Sequence, residues 1–444
     1  MGRRRRLRIA VWAAGLASSC ALAFFGCSEN RSTSTDNTPP GLQTTDFESA
    51  EGCRSCHPDQ FSDWSGSMHA YALRDPVFLE VRRIGQSMYI NALDQACEQC
   101  HSPIGSRTGD IQWGPFDYDK LAKPSQDGIG CDLCHVISGI GRLNNAGILL
   151  TPGHAKFGTI KDPMATTAHL SEYSSLYSES EYCGACHDFV TSGGLELETT
   201  FREWRESGLN VTGKTCNDCH MPTYQGRAAT DGSVRTVHRH TFVGADLALI
   251  DFPHRAEQRQ LVTALLQDAL TMNVITPASM SPDTRATMQI SLTNDRTGHN
   301  VPSGVPFNRQ MWLSIVVRDA QQRELYSSGQ LDANGDLMDG HSVFAARDPD
   351  LFNAQATMRR ADGAATGFTW DAVGLDNPSI PAGETRLLAY GFDVPQGTLG
   401  PVTVDVALRF RSFPPYVFRA LGLDSLLPIP IIDMEEATRQ VSVE

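Results

Sequence analysis

The sequence predicts an α+β multidomain chain in which a mainly helical, loop-rich first half is followed by a linker helix and an antiparallel β-sandwich. Three observations predict this. Between Cys53 and His220 the pattern CxxCH occurs five times, separated by short helical or irregular stretches. From Asp251 to Asn273, Leu261, Leu265, Ala269 and Met272 recur at helical spacing and Val262 and Leu266 widen the stripe. Beyond Arg285 the apolar period falls to two, as antiparallel strands with one buried face require.

The five motifs are Cys53, Cys56 and His57; Cys97, Cys100 and His101; Cys131, Cys134 and His135; Cys183, Cys186 and His187; and Cys216, Cys219 and His220. Each has the form of a c-type haem attachment signal, in which two thiols add to the porphyrin vinyl groups and the next imidazole becomes the proximal iron ligand. Two intervening residues let both sulfurs meet one porphyrin edge. A lone CxxC pair is equally a zinc half-site or a redox dithiol, but five copies each followed by histidine favour five covalently attached haems. The sites are too closely spaced for each haem to have an apolar core of ordinary size. The porphyrins are therefore expected to supply much of the core of a pentahaem cytochrome c domain over residues 48–246.

Local signals support that domain. Asp75 and Pro76 make an N-cap and first helical position, followed by Val77, Val81, Ile84 and Met88 at helical spacing. Ser171 to Tyr182 leads into Cys183, and Thr200 to Ser207 carries Phe201 and Trp204. Residues 247–276 are expected to form the linker helix. The alternating runs are Ala286, Met288, Ile290 and Leu292; Met311, Leu313, Ile315 and Val317; Leu388, Tyr390, Phe392 and Val394; and Val402, Val404, Val406, Leu408 and Phe410. They define the sandwich over residues 277–412, with a tail, 413–444, expected to pack along its outside.

The 444 residues carry a formal net charge of -14, which disfavours nucleic acid and anionic membrane surfaces as partners. Redox proteins, either cytochromes or quinol-linked donors, suit it better. Of the 12 cysteines, all but Cys20 and Cys27 lie in the motifs, so a disulfide framework is not expected. Residues 1–27 read as an export signal: arginines at positions 3–6 and 8, an apolar run from Ile9 to Phe25, then Gly26 and Cys27. Phe24-Phe25-Gly26-Cys27 resembles a bacterial lipobox with Cys27 as the lipidated residue, although Phe24 replaces the preferred leucine; the alternative is a cleaved signal without an anchor. Residues 28–47 read as a disordered tether. The expected location is the bacterial cell envelope, lipid-anchored at the outer membrane on its periplasmic or cell-surface face.

Eight histidines lie outside the motifs: His69, His154, His169, His238, His240, His254, His299 and His341. An iron that only carries electrons has both axial positions filled, which keeps its geometry nearly constant between oxidation states. Candidates for the distal positions are His69, His169, His240 and His299, with His154, His238 or His254 for the fifth site. The ordinary alternatives are surface or turn histidines. His238 and His240 alternate, so in an extended segment only one faces a given iron. His299 lies in Gly298-His299-Asn300-Val301-Pro302-Ser303-Gly304 and, if it ligates, docks the sandwich onto a haem. Met68, Met88 and Met221 are weaker candidates.

Cys53 to Ala70, with Trp64, Ser67 and His69 after the motif, resembles the opening of the cytochrome c-554-like multihaem family. Cys183 to Asp188, Phe201, Trp204, Cys216 to Pro222, His240, Phe242 and Gly244 are similar to later segments of that group. Gly298-His299, Pro302, Gly304, Arg309, Trp312-Leu313, Asp319 and Ser328-Gly329 resemble a β-domain that accompanies some of its members. The resemblance implies periplasmic or surface electron transfer, with His69, His169 and His240 as distal ligands. Related multihaem folds include nitrogen-oxide and hydroxylamine enzymes, but no CxxCK variant occurs here, which removes the pattern typical of ammonia-forming nitrite reductases. The expected function is electron transfer through five haems, with no catalytic residue singled out. The alternatives are a haem oxidoreductase acting on a small nitrogen or sulfur compound at a five-coordinate iron, and a β-domain that binds partners with a conductive haem domain behind it.

Overall fold

Helical turns around the cysteine motifs give way, after His240, to a β-rich region, as a computed structural model of the chain describes for residues 41–88, 96–340 and 347–444. Cys20, Cys27 and His341 fall outside the described residues. The described part belongs to one compact unit, Asn37–Glu444. No helix among the described residues is long and apolar enough to cross a membrane.

Helix α1 (Pro58–Ser65) follows the first motif, with Pro58 pre-set for the first turn, and buries Trp64, whose indole donates to the Ile129 carbonyl at 2.8 Å. Helix α2 (Pro76–Met88) is capped by Asp75, whose carboxylate accepts the Val77 N–H at 2.9 Å. The stretch from Ser171 to Tyr182 is less helical than its position before Cys183 suggests. Leu170–Tyr173 pairs in parallel with Ala155–Gly158, and helix resumes only at Ser175–Ser178 and Ser180–Gly184. Pairing with a distant strand satisfies backbone groups that a short helix would have left open. Helix α3 (Thr200–Glu206) buries Phe201.

Helix α4 (Arg255–Gln267) is shorter than the apolar stripe suggests, because Thr271–Ile275 leaves the helix to form strand β1. Its Val262 and Leu266 join the core of the β-rich region, so the helix packs on that region rather than bridging open space.

That region contains β2 (Ser279–Met280), β3 (Thr284–Thr293), β4 (Gln310–Arg318), β5 (Glu324–Ser328), β6 (Thr385–Val394), β7 (Val402–Arg411) and β8 (Ile432–Val443). One sheet runs β2-β8-β7-β4-β5 and another β6-β3-β1, and apolar residues of both fall in one cluster. The alternation read from β3 and β7 is the buried face: Ala286, Met288, Ile290 and Leu292, and Val402, Val404, Val406, Leu408 and Phe410. The expected outer tail is the exception. After helix α5 (Pro415–Leu421), β8 inserts between β2 and β7, pairing Val441 with Val402 and Ile432 with Phe410. Without it the free edge of β7 would present unpaired backbone groups over its whole length.

Several contacts join the halves. Arg309 makes a two-pronged ion pair with Asp246 at 2.5 and 2.7 Å. Val77 and Val81 of α2 pack with Phe413, Phe418 and Ile429. The loop between β3 and β4 rests on α3 and carries His299.

Candidate haem-binding site

Each motif sits on or beside a tight helical turn, which puts residues three apart on one side and delivers the histidine just after the second thiol. The His57, His101 and His187 amides donate to the carbonyls of Cys53, Cys97 and Cys183 at 2.9, 3.1 and 2.9 Å. The thiols are free among the described residues, and they meet between motifs. Cys53 lies close enough to Cys131, Cys100 to Cys186, and Cys183 to Cys216 for each thiol to influence the ionisation of the other. The fourth motif therefore lies near both the second and the fifth.

Four of the five motif imidazoles face a second imidazole. His57 lies 6.1 Å from His169 between ring centres, with 22° between planes. His187 lies 6.2 Å from His69 at 39°, His135 6.5 Å from His240 at 27°, and His220 6.3 Å from His299 at 18°. Two imidazoles sharing one metal, each bonded at about 2 Å with about 1.1 Å from nitrogen to ring centre, stand about 6.2 Å apart. The residues thus fit an iron held between each pair, and the two thiols of each motif beside them fit the vinyl edge of a porphyrin. His69 adds an independent sign of fit: its Nδ1 is buried without a hydrogen-bond partner, an arrangement a protein keeps only for a reason.

The other ring nitrogens are held in place. Nδ1 of His57, His101, His135 and His220 contacts the carbonyls of Ala228, Ala72, Phe157 and Val243 at 2.5, 2.9, 2.6 and 2.5 Å. Such bonds fix ring orientation and leave Nε2 for a metal. His187 differs, because its Nδ1 faces the Glu198 carboxylate at 3.3 Å. Burial, then the charge of His187, holds His69 down at about 3, and burial holds His240 at about 4. Both are thus neutral donors. Burial also depresses His187, but the bond to Glu198 and its charge prevail and lift it to about 9. Metal binding would displace only the Nε2 proton and leave Nδ1–H with Glu198.

The remaining candidates separate by environment. His238 points its Nδ1 at the Met221 carbonyl, 2.6 Å away, while His240 faces His135, so the two do alternate. His154 is exposed. His254, a candidate for the fifth site, faces no motif histidine: it stands in the left-handed region at φ 54°, near Glu257 at 3.7 Å and Ser62 at 3.4 Å. His101 has no histidine opposite it among the described residues; Phe78 stacks on its ring at 3.9 Å and 10°.

Nothing in the sequence singled out the residues that steady His299. Asn294 Nδ2 donates to the His299 carbonyl at 2.8 Å and to that of Ile380 at 2.9 Å. From the other side Glu203 accepts the Asn300 N–H at 3.0 Å and the Ser303 hydroxyl at 2.6 Å, and Thr200 accepts the Gly304 N–H at 3.0 Å. Only the period of α3, which puts Thr200 and Glu203 on one face, could have hinted at the pair.

CxxCH turns in mutual contact, with imidazoles facing imidazoles across metal-sized gaps, define a multihaem c-type cytochrome. Residues 52–136 match the family described as cytochrome c554 and c-prime. The fold is similar to that of a penta-heme cytochrome c552 from Thermochromatium tepidum, at 19% identity and TM-score 0.65 over 89% of this chain and 99% of that one. A putative superoxide reductase from Thermotoga maritima overlaps at 10% identity and TM-score 0.16, over 40% of this chain and 89% of that one, too loosely to bear on function. No curated protein sequence matches the chain.

Proposed function

We propose that the chain binds five c-type haems and passes electrons along them between redox partners in the bacterial cell envelope. The observation that carries this reading is the set of four facing imidazole pairs. When bound, each haem supplies a one-electron ferric–ferrous couple. His57 with His169, His187 with His69, His135 with His240 and His220 with His299 would each hold an iron between them. Their backbone bonds hold most of these rings before any electron arrives, so little structure has to move. The thiol contacts suggest an order: the Cys53 and Cys131 motifs adjoin, and the Cys183 motif links those of Cys100 and Cys216. The β-rich region is read as a sandwich that β8 completes, docked on the haem domain through His299. Cytochromes or quinol-linked donors are the proposed partners, and Cys27 the proposed lipid anchor at the outer membrane. Haem quantitation and intact mass of the purified protein test the count: five covalent haems are expected, and fewer would reject the full array.

A second reading rests on His101. With Phe78 beside it and no described histidine opposite, a haem at Cys97 and Cys100 would have one axial side open to a small nitrogen or sulfur compound. Electron paramagnetic resonance of the oxidised protein separates the readings. Low-spin signals throughout favour the relay alone; a high-spin ferric signal that changes with nitrite or hydroxylamine favours a catalytic site.

A further inference from the structure

We propose that Glu198 is a positioning residue that lowers the reduction potential of the haem attached at Cys183 and Cys186, acting through the His187 imidazole. The inference rests on the reading of His187 as an axial ligand. Four motif imidazoles give their Nδ1 a neutral carbonyl, and His187 alone gives it a carboxylate, 3.3 Å away. A carboxylate draws the Nδ1 proton more strongly than a carbonyl, makes the imidazole a better electron donor at Nε2, and so stabilises the ferric state.

The local fold aims this carboxylate. Glu198 ends the strand Glu196–Glu198, which pairs with Phe189–Val190 directly after the motif. Leu197 is buried in a cluster with Met358 and Ala372 of the β-rich region, and alternation along the strand turns Glu198 to the opposite side, toward His187. The nearby cation does not compete. Arg202 makes a two-pronged bond to Asp188 at 2.9 and 3.2 Å and pairs with Glu196. The opposite imidazole, His69, has no hydrogen-bond partner at its buried Nδ1, so only His187 of this pair carries a carboxylate. The thiols of this motif lie near those of two other motifs, Cys100 and Cys216.

The test is a spectroelectrochemical titration of the haem-loaded Glu198→Gln variant, which keeps shape and a hydrogen-bond acceptor but loses the charge. One midpoint potential is expected to rise, by at least a tenfold change in the ferric-to-ferrous ratio at fixed applied potential, about 59 mV for one electron. All midpoints unmoved, or several rising equally, overturns the proposal. If the variant does not take up its full haem complement, the native protein decides. One motif-imidazole Nδ1 proton resonating apart from the others in its nuclear magnetic resonance spectrum supports the bond, and a uniform set overturns it. A full set of low-spin signals with unmoved potentials would reject the role of Glu198 and leave the axial reading standing, whereas a His187→Ala variant with unchanged low-spin content would reject the axial reading itself.

Discussion

The His299 ring lies 6.3 Å from the His220 ring and 18° from parallel to it, although the two residues come from opposite halves of the molecule. His220 ends a helical turn in the motif-bearing half, and His299 stands on the loop between β3 and β4. One axial pair would therefore span the junction. His299→Ala is expected to convert a single low-spin haem to high spin and leave the others unchanged, as read by electron paramagnetic resonance. Unchanged low-spin content would reject the docking role.

Glu203 holds that loop from the haem side. Glu203→Ala leaves the Asn300 N–H and the Ser303 hydroxyl without their acceptor, a loss on the order of 1–3 kcal/mol where such groups are shielded from water. The expected result is a lower thermal midpoint together with partial loss of the same low-spin signal that His299→Ala removes. Loss of a different signal would show that the loop is held by other contacts.

Two carboxylates set an acid-side pH dependence. Burial pushes Asp75 and Asp127 up to about 6, against the backbone N–H groups of Val77 and Ala50 that favour their ionised forms. Unfolded, both titrate near about 3.9. The folded chain thus binds more protons between these values, so their contribution to stability is greatest below about pH 4. It declines as pH rises toward about 6 and is flat beyond. Asp75→Asn retains a competent helix cap, and its thermal midpoint is expected to fall less over that window than that of the native protein.

Gly184 lies between the cysteines of the fourth motif, where an added Cβ would collide with the fully buried Phe201 ring. Gly184→Ala is expected to push α3 away from the motif, at a cost of about 1–3 kcal/mol. Haem quantitation should show reduced attachment at Cys183 and Cys186; full occupancy with native stability would show that Phe201 yields freely.

Much of this was legible in order along the chain. The motifs needed only spacing, and the strands of the β-rich region showed as period-two runs because one face of each is buried. Strand β8 was hidden because Glu435 and Glu436 interrupt its apolar alternation, and because a strand whose partner is β7 depends on pairing rather than on its own pattern. The end of α4 was misplaced for a related reason: residues after Gln267 keep helical spacing but pair with β3 instead.

The sequence by itself determined the five CxxCH motifs and narrowed the candidate facing imidazoles to a short set, because both follow from residue type and local spacing. It carried no record of which imidazole faces which. That His69 meets His187, that His254 turns toward solvent and Glu257, and that His299 reaches across to His220 were decided only by tertiary structure. Such pairings depend on where distant segments pack, and in this fold Asn294, Glu203 and the strand that turns Glu198 toward His187 do the placing.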